Sequence, residues 1–172
     1  LIQRNIPAVG LQPSSCVVTK SGRIHLIEDK PLKKMLESGF MPALYGDTVL
    51  DLDSGFSILS GDQLAAHLAI LLNASRIIMG IDEDGLYTGD PKADSSVRLI
   101  RHATLQELKN MQRGFEKAKT PDVTGGMLGK IVELVPVVEG GASALIVNGA
   151  KPNNVYKALK GESVRGTLIE KE

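Results

Sequence analysis

The chain has 172 residues, 42% hydrophobic and 23% charged, which suits an ordinary globular domain with a sizeable core. Lysine plus arginine and aspartate plus glutamate both number 20, so no general basic surface exists for nucleic acid or an anionic membrane, though a local cationic pocket stays open. The single cysteine, Cys16, excludes an internal disulfide and points to a reducing cytosol, and no apolar run reaches the roughly 20 residues of a membrane span.

The opening run Leu1-Ile2-Gln3-Arg4-Asn5-Ile6-Pro7 reads as the tail of a helix entering a strand, so the chain is expected to begin inside a longer protein. Residues 6–11 predict a short buried strand. Residues 16–19 and 23–28 flank Lys20-Ser21-Gly22, a hairpin signal with a glycine turn. Pro31 suits the first turn of a helix over 31–37, and Gly39 suits its end. Residues 40–45 predict another buried strand; 49–52 and 56–59 predict a second hairpin around Asp53-Ser54-Gly55. Ser60-Gly61-Asp62 opens the clearest helix, on which Leu64, Leu68, Leu71 and Leu72 form one apolar stripe. A β-branched run over 76–81 leads into the polar turn Asp82-Glu83-Asp84-Gly85. Beyond it come a strand over 97–103, a charged helix over 105–119, and a helix over 124–139 bent at Pro136. A buried strand over 144–147, a helix over 153–159 and a closing strand over 167–169 complete the chain. This alternation predicts an α/β fold in one domain over 1–172, with a mostly parallel central sheet, helices on both faces and added β-hairpins.

Open α/β sheets bind ligands beyond the carboxyl ends of their strands, so the strand-to-helix junctions are the places to search. At the first, Tyr45-Gly46-Asp47 is followed by Ser60-Gly61-Asp62. Gly61 lets backbone approach a ligand closely, while Ser60 or Asp62 would serve equally as a plain N-cap. The second runs from Gly80 through Asp82-Glu83-Asp84-Gly85-Leu86-Tyr87 to Asp90-Pro91. An acid-rich turn there suits a ribose, an adenine edge or a metal, and turn chemistry alone also accounts for Asp84-Gly85 and Asp90-Pro91. The third is Asp122-Val123-Thr124-Gly125-Gly126-Met127-Leu128-Gly129-Lys130. Two glycines at a helix start expose N–H groups to an anion, and Lys130 lies close enough to reach a phosphate. A glycine-softened structural helix is the alternative. It is not a Walker A loop, because Thr124 and Ile131 occupy positions where that pattern needs glycine and a hydroxyl. Cys16, His25, His67 and His102 form no zinc spacing, and no metal ligand is assigned.

These junctions, in this order, resemble the amino acid kinase family, which includes acetylglutamate, glutamate-5-, aspartate, carbamate, uridylate and isopentenyl phosphate kinases. Residues 82–91 are similar to its nucleotide-binding signature and 124–130 to its phosphate-binding helix start, and the resemblance covers essentially the whole chain. Within the family, Tyr45-Gly46-Asp47 followed by Ser60-Gly61-Asp62 is most similar to the isopentenyl phosphate kinases, with fosfomycin kinase a near relative. The resemblance implies the C-terminal, nucleotide-binding two-thirds of an amino acid kinase domain. It implies transfer of the γ-phosphoryl group of ATP, with Mg²⁺, to isopentenyl phosphate in the mevalonate route of isoprenoid biosynthesis. By the same resemblance Gly61 contacts the phosphorylated substrate and Asp62 organises catalytic lysines. Asp82 and Tyr87 line the ATP site, and Gly126 and Lys130 hold its phosphates, with Lys130 catalytic. A cytosolic homodimer with a small-molecule substrate, and with no nucleic-acid or membrane partner, is implied as well. The sequence departs from the family at two places. Ile81 stands where the family usually has threonine or serine. The family's Gly-Gly-Ser loop with its lysine, and the Gly-Gly-Gly-Ser-Phe-Gly-His segment of isopentenyl phosphate kinases, would both precede Leu1. The fragment alone is therefore expected to be inactive. Glutamate, uridylate or fosfomycin as acceptor, and a non-catalytic nucleotide sensor, stay open.

Overall fold

A computed structural model of the chain describes residues 5–91, 93–94, 96–118 and 125–172. They form two compact units, Leu1–Leu68 and Ala69–Glu172.

The first unit holds β1 (Ala8–Gly10), a 3-10 turn (Pro13–Ser15), β2 (Val17–Lys20), β3 (Arg23–Ile27), α1 (Lys30–Glu37), β4 (Met41–Ala43), β5 (Asp47–Asp51), β6 (Gly55–Leu59) and most of α2 (Gly61–Leu71). Both expected hairpins form. In the β2–β3 turn Ser21 and Gly22 have φ of 49° and 75°, the pair of left-handed residues that lets a two-residue turn follow the strand twist. A parallel contact between β2 and β5 joins the hairpins into one sheet, ordered β3-β2-β5-β6. Its inward residues Val17, Val49 and Leu59 close on Leu64 of α2. The buried Gln63 ties α2 to the first hairpin, accepting from the Ile24 N–H at 2.9 Å and donating to the Gly22 carbonyl at 3.1 Å. Asp51, also buried, joins the two turns: its carboxylate accepts from the N–H groups of Gly22, Asp53 and Ser54. Of the expected stripe on α2, Leu64 is closed off, but Ala66 and Ala69 are buried beside it. The strands expected over 6–11 and 40–45 form as β1 and β4, yet they are not buried as expected. Met41 is 45% exposed and Tyr45, beyond the end of β4, 53%; among the described residues β4 pairs with β1 in a two-stranded parallel ribbon.

The second unit holds β7 (Arg76–Ile81), β8 (His102–Thr104), α3 (Leu105–Ala118), α4 (Gly125–Glu139), β9 (Ser143–Asn148), α5 (Asn154–Leu159) and β10 (Gly166–Glu170), with sheet order β7-β9-β10-β8. β7 runs parallel to β9 and β10 parallel to β8, while β9 and β10 are antiparallel. Ala144 and Ile146 point to one side of β9 and Val147 to the other, and all three are buried, so this strand is covered on both faces. Ile131, Leu134, Val137 and Val138 supply the buried face of α4, which continues through Pro136 to Glu139. The strand expected over 97–103 is displaced: β8 begins at His102, because 98–100 pair instead with 86–88 across Thr88 N–Arg98 O (3.0 Å) and Ile100 N–Leu86 O (2.8 Å). Lys119 and Thr124, the expected ends of two helices, lie outside the described residues, as do residues 1–4 of the opening run expected to lead from a helix tail into a strand. The fold is the expected α/β type, and of the strand pairings described, four are parallel and three antiparallel.

Candidate functional site

In the first unit the two parts of the first junction do meet. A Cβ on Gly46 would lie 3.1 Å from the Leu59 carbonyl oxygen and 3.3 Å from the Gly61 nitrogen, so a bare α-carbon is what lets Tyr45-Gly46-Asp47 lie against the start of α2. Ser60 is the N-cap, its Oγ accepting the Gln63 N–H at 3.0 Å. Asp62 follows in the first helical turn, partly buried, where the helix dipole favours a carboxylate. Asp47 instead braces the frame, accepting from the Ser14 N–H at 3.0 Å and the Thr48 N–H at 2.9 Å. The bond from Ser14 is the main reason its carboxyl titrates below the usual range. Gly61 is exposed and Asp62 half-buried at this junction.

In the second unit the acidic turn after β7 is tied down along its length. The Gly149 N–H reaches the Ile81 carbonyl at 2.8 Å, and Asn148 Nδ2 reaches the Asp82 carbonyl at 3.0 Å. The Asp82 side chain is exposed, whereas Asp84 is buried and ion-paired to Lys151 Nζ (2.5 Å) and Arg165 Nε (2.7 Å). The bond from Lys151, helped by both positive charges, holds the Asp84 carboxyl below its ordinary range despite burial. Gly85 adopts φ +151°, and a Cβ there would sit 2.5 Å from Thr167 Oγ1. That hydroxyl accepts the Leu86 N–H at 2.8 Å and donates to the Ile100 carbonyl at 2.5 Å. Tyr87, half-buried, bridges to Leu99. Asp82 and Tyr87 therefore stand on a braced turn. Sequence reasoning assigns Asp82 to the ATP site and leaves Asp84 to turn chemistry, and it does not single out Asn148, Lys151, Arg165 or Thr167; a buried carboxylate's need for distant cations leaves no local pattern.

At the third junction α4 begins at Gly125, and a Cβ on Gly126 or Gly129 would meet nothing within 4 Å. Among the described residues, nothing crowds the helix start at those two positions. Its first N–H groups lack intrahelical partners by geometry, and the partly buried Lys130 follows one turn after Gly126. Asp122, Val123 and Thr124 lie outside the described residues. The described histidines have other surroundings: His102 Nε2 is 3.1 Å from Glu170 Oε2, and burial pushes the pKa of His67 down. Among the described residues no three His, Cys, Asp or Glu side chains are grouped to hold a metal ion, and no helix is long and apolar enough to cross a membrane.

Residues 1–148 match the model of the amino acid kinase family. Isopentenyl phosphate kinase of Methanothermobacter thermautotrophicus is 42% identical over 172 residues, covering 98% of this chain and 63% of the relative. That of Methanocaldococcus jannaschii is 35% identical over 166 residues, covering 96% of this chain and 59% of the relative. A solved structure of isopentenyl phosphate kinase superimposes with a TM-score of 0.81 at 38% identity, over 98% of this chain and 61% of that one. The chain thus spans less than two-thirds of the length of the relatives it matches.

Proposed function

The chain belongs to the amino acid kinase family, and from that premise we propose that it carries nucleotide- and acceptor-binding residues of an ATP-dependent kinase whose acceptor is isopentenyl phosphate. The observation that carries the reading is the start of α4, where among the described residues nothing lies within 4 Å of a Cβ built on Gly126 or Gly129, with Lys130 one turn on. Oriented N–H groups and a full positive charge at one helix end suit a triphosphate. The acceptor rests on the likeness to relatives named for that substrate.

Phosphoryl transfer asks a protein mainly for alignment and charge neutralisation. The γ-phosphoryl group leaves ADP as an oxygen of the acceptor phosphate bonds to its phosphorus, giving isopentenyl diphosphate. In this reading Lys130 and the amides of Gly126 and its neighbours stabilise the charge carried by the moving group, where preorganised donors act most strongly. Gly61 offers backbone to the acceptor phosphate. Asp62 orients lysine side chains; a general base is not required, since the acceptor phosphate is already ionised. Asp82 and Tyr87 line the nucleoside. Without a protein cage of acidic ligands among the described residues, Mg²⁺ would enter with ATP, held mainly by phosphate oxygens and water. The same reading makes the protein a cytosolic homodimer.

The test is ADP release by the full-length gene product with ATP and Mg²⁺, screened against isopentenyl phosphate, glutamate, uridylate and fosfomycin. Turnover should be fastest with isopentenyl phosphate. Lys130→Ala should lower kcat by about 10²–10³ and weaken ATP binding far less. A change confined to KM would contradict the assigned role.

A further inference from the structure

A loop that only reverses the chain is satisfied by its own backbone and water. The turn after β7 is held differently. Its alternate residues are each tied to distant chain: the Asp82 carbonyl to Asn148, the Asp84 carboxylate to Lys151 and Arg165, and the Leu86 N–H to Thr167. We infer that Asp84 is a positioning residue for the nucleotide, clamping the turn that presents Asp82 and Tyr87 against the loops after β9 and before β10. The inference rests on the kinase reading and deepens it.

The exposures set out the division of labour. The Asp84 side chain is 10% exposed, while those of Lys151 and Arg165 are 51% and 61% exposed. Burying a carboxylate is costly unless it is paired and hydrogen-bonded. Asp84 meets that cost with two full charges, one on each oxygen, both brought from beyond β9. Lys151 follows Asn148, which itself holds the Asp82 carbonyl and accepts the Ala150 N–H at 3.0 Å. Arg165 precedes Gly166 and Thr167 of β10, and Thr167 holds Leu86. The two cations thus sit on the same short segments that make the other ties. A carboxylate at position 84 fixes both segments to the turn at once, with Asp82 two residues before it and Tyr87 three residues after. Its pairing with two long side chains restricts the turn to one placement, and a ligand bound by Asp82 and Tyr87 then loses less ordering entropy on arrival.

Asp84→Asn is the decisive variant, because it keeps the shape and leaves both exposed cations solvated. In the full-length gene product, its KM for ATP should rise about tenfold, by analogy with the loss of groups that orient metal ligands. Its kcat, its acceptor KM and its melting temperature should stay near those of the parent. Adding Arg165→Met to Asp84→Asn should cost little more, since both remove the same tie, and Lys151→Arg should keep the parent KM. An ATP KM within twofold of the parent overturns the inference. So does an equal worsening of kcat and both KM values, which marks a general structural role. If Asp84→Asn does not fold, Lys151→Met and Arg165→Met, which each keep one cation, are measured in its place: a raised ATP KM alone supports the clamp, and either of the two adverse results overturns it. A parent protein that releases no ADP with any acceptor sinks the kinase reading itself, whereas an active parent with an indifferent Asp84→Asn sinks only the clamp.

Discussion

Gly85→Ala should be among the most damaging single-methyl changes in the second unit. The residue adopts φ +151°, where an L side chain is strained, and the added Cβ would lie 2.5 Å from Thr167 Oγ1, 2.9 Å from Thr167 N and 3.1 Å from Leu99 Cδ1. The backbone conformation alone costs about 1–3 kcal/mol for a non-glycine residue. Relief of the clash moves the Thr167 hydroxyl, which links the Leu86 N–H to the Ile100 carbonyl; two lost hydrogen bonds cost about 1 kcal/mol each. The expected loss is therefore about 3–5 kcal/mol, a large part of the roughly 5–15 kcal/mol that holds a typical domain together. Urea titration of the parent and the variant measures it through the shift in midpoint at constant slope. A double-mutant cycle locates the cause. In a Thr167→Ala background the contact to Oγ1 is gone but the contact to the backbone nitrogen remains, so Gly85→Ala should cost less there, though still more than about 1 kcal/mol on the scale of backbone strain. A loss below about 1 kcal/mol in the parent background would refute the steric reasoning.

The contrasting glycine is Gly126, where a Cβ would meet nothing within 4 Å. Gly126→Ala should raise stability by up to about 1 kcal/mol through helix propensity, while its methyl group occupies space assigned to phosphate and raises the KM for ATP. Improved stability with an unchanged KM would remove Gly126 from the nucleotide site. Asp51 should make the first unit acid-sensitive. The bond from the Gly22 N–H, with those of Ser54 and Asp53, holds its folded carboxyl well below the usual range. Its stabilisation is therefore present above the unfolded pKa of about 4 and fades as pH falls below that value toward the folded pKa. The difference in urea midpoint between the parent and Asp51→Asn should be full at neutral pH and shrink as pH falls from about 4 to about 2. A difference that stays constant with pH would show that the carboxylate's charge contributes nothing.

Much of the architecture is legible in the sequence because it is decided within a few residues. Ser21-Gly22 and Gly55 close hairpins by local backbone sterics, Pro31 and Gly39 bracket α1, and Ser60 caps α2 through a bond spanning three positions. The glycine-led start of α4 can be recognised for the same reason. Tertiary structure decides which polar residues stay exposed and which hold the frame. Asp82 and Asp84 are the same residue type two positions apart, yet one is exposed and the other is buried between Lys151 and Arg165. Desolvation and its compensation depend on charges arriving from 67 residues away in the case of Lys151, and no window of sequence contains both partners. The exposure of β4 escapes the sequence on similar grounds: its apolar residues specify a strand, but their burial depends on what packs against the faces of that strand, which its own residues do not encode.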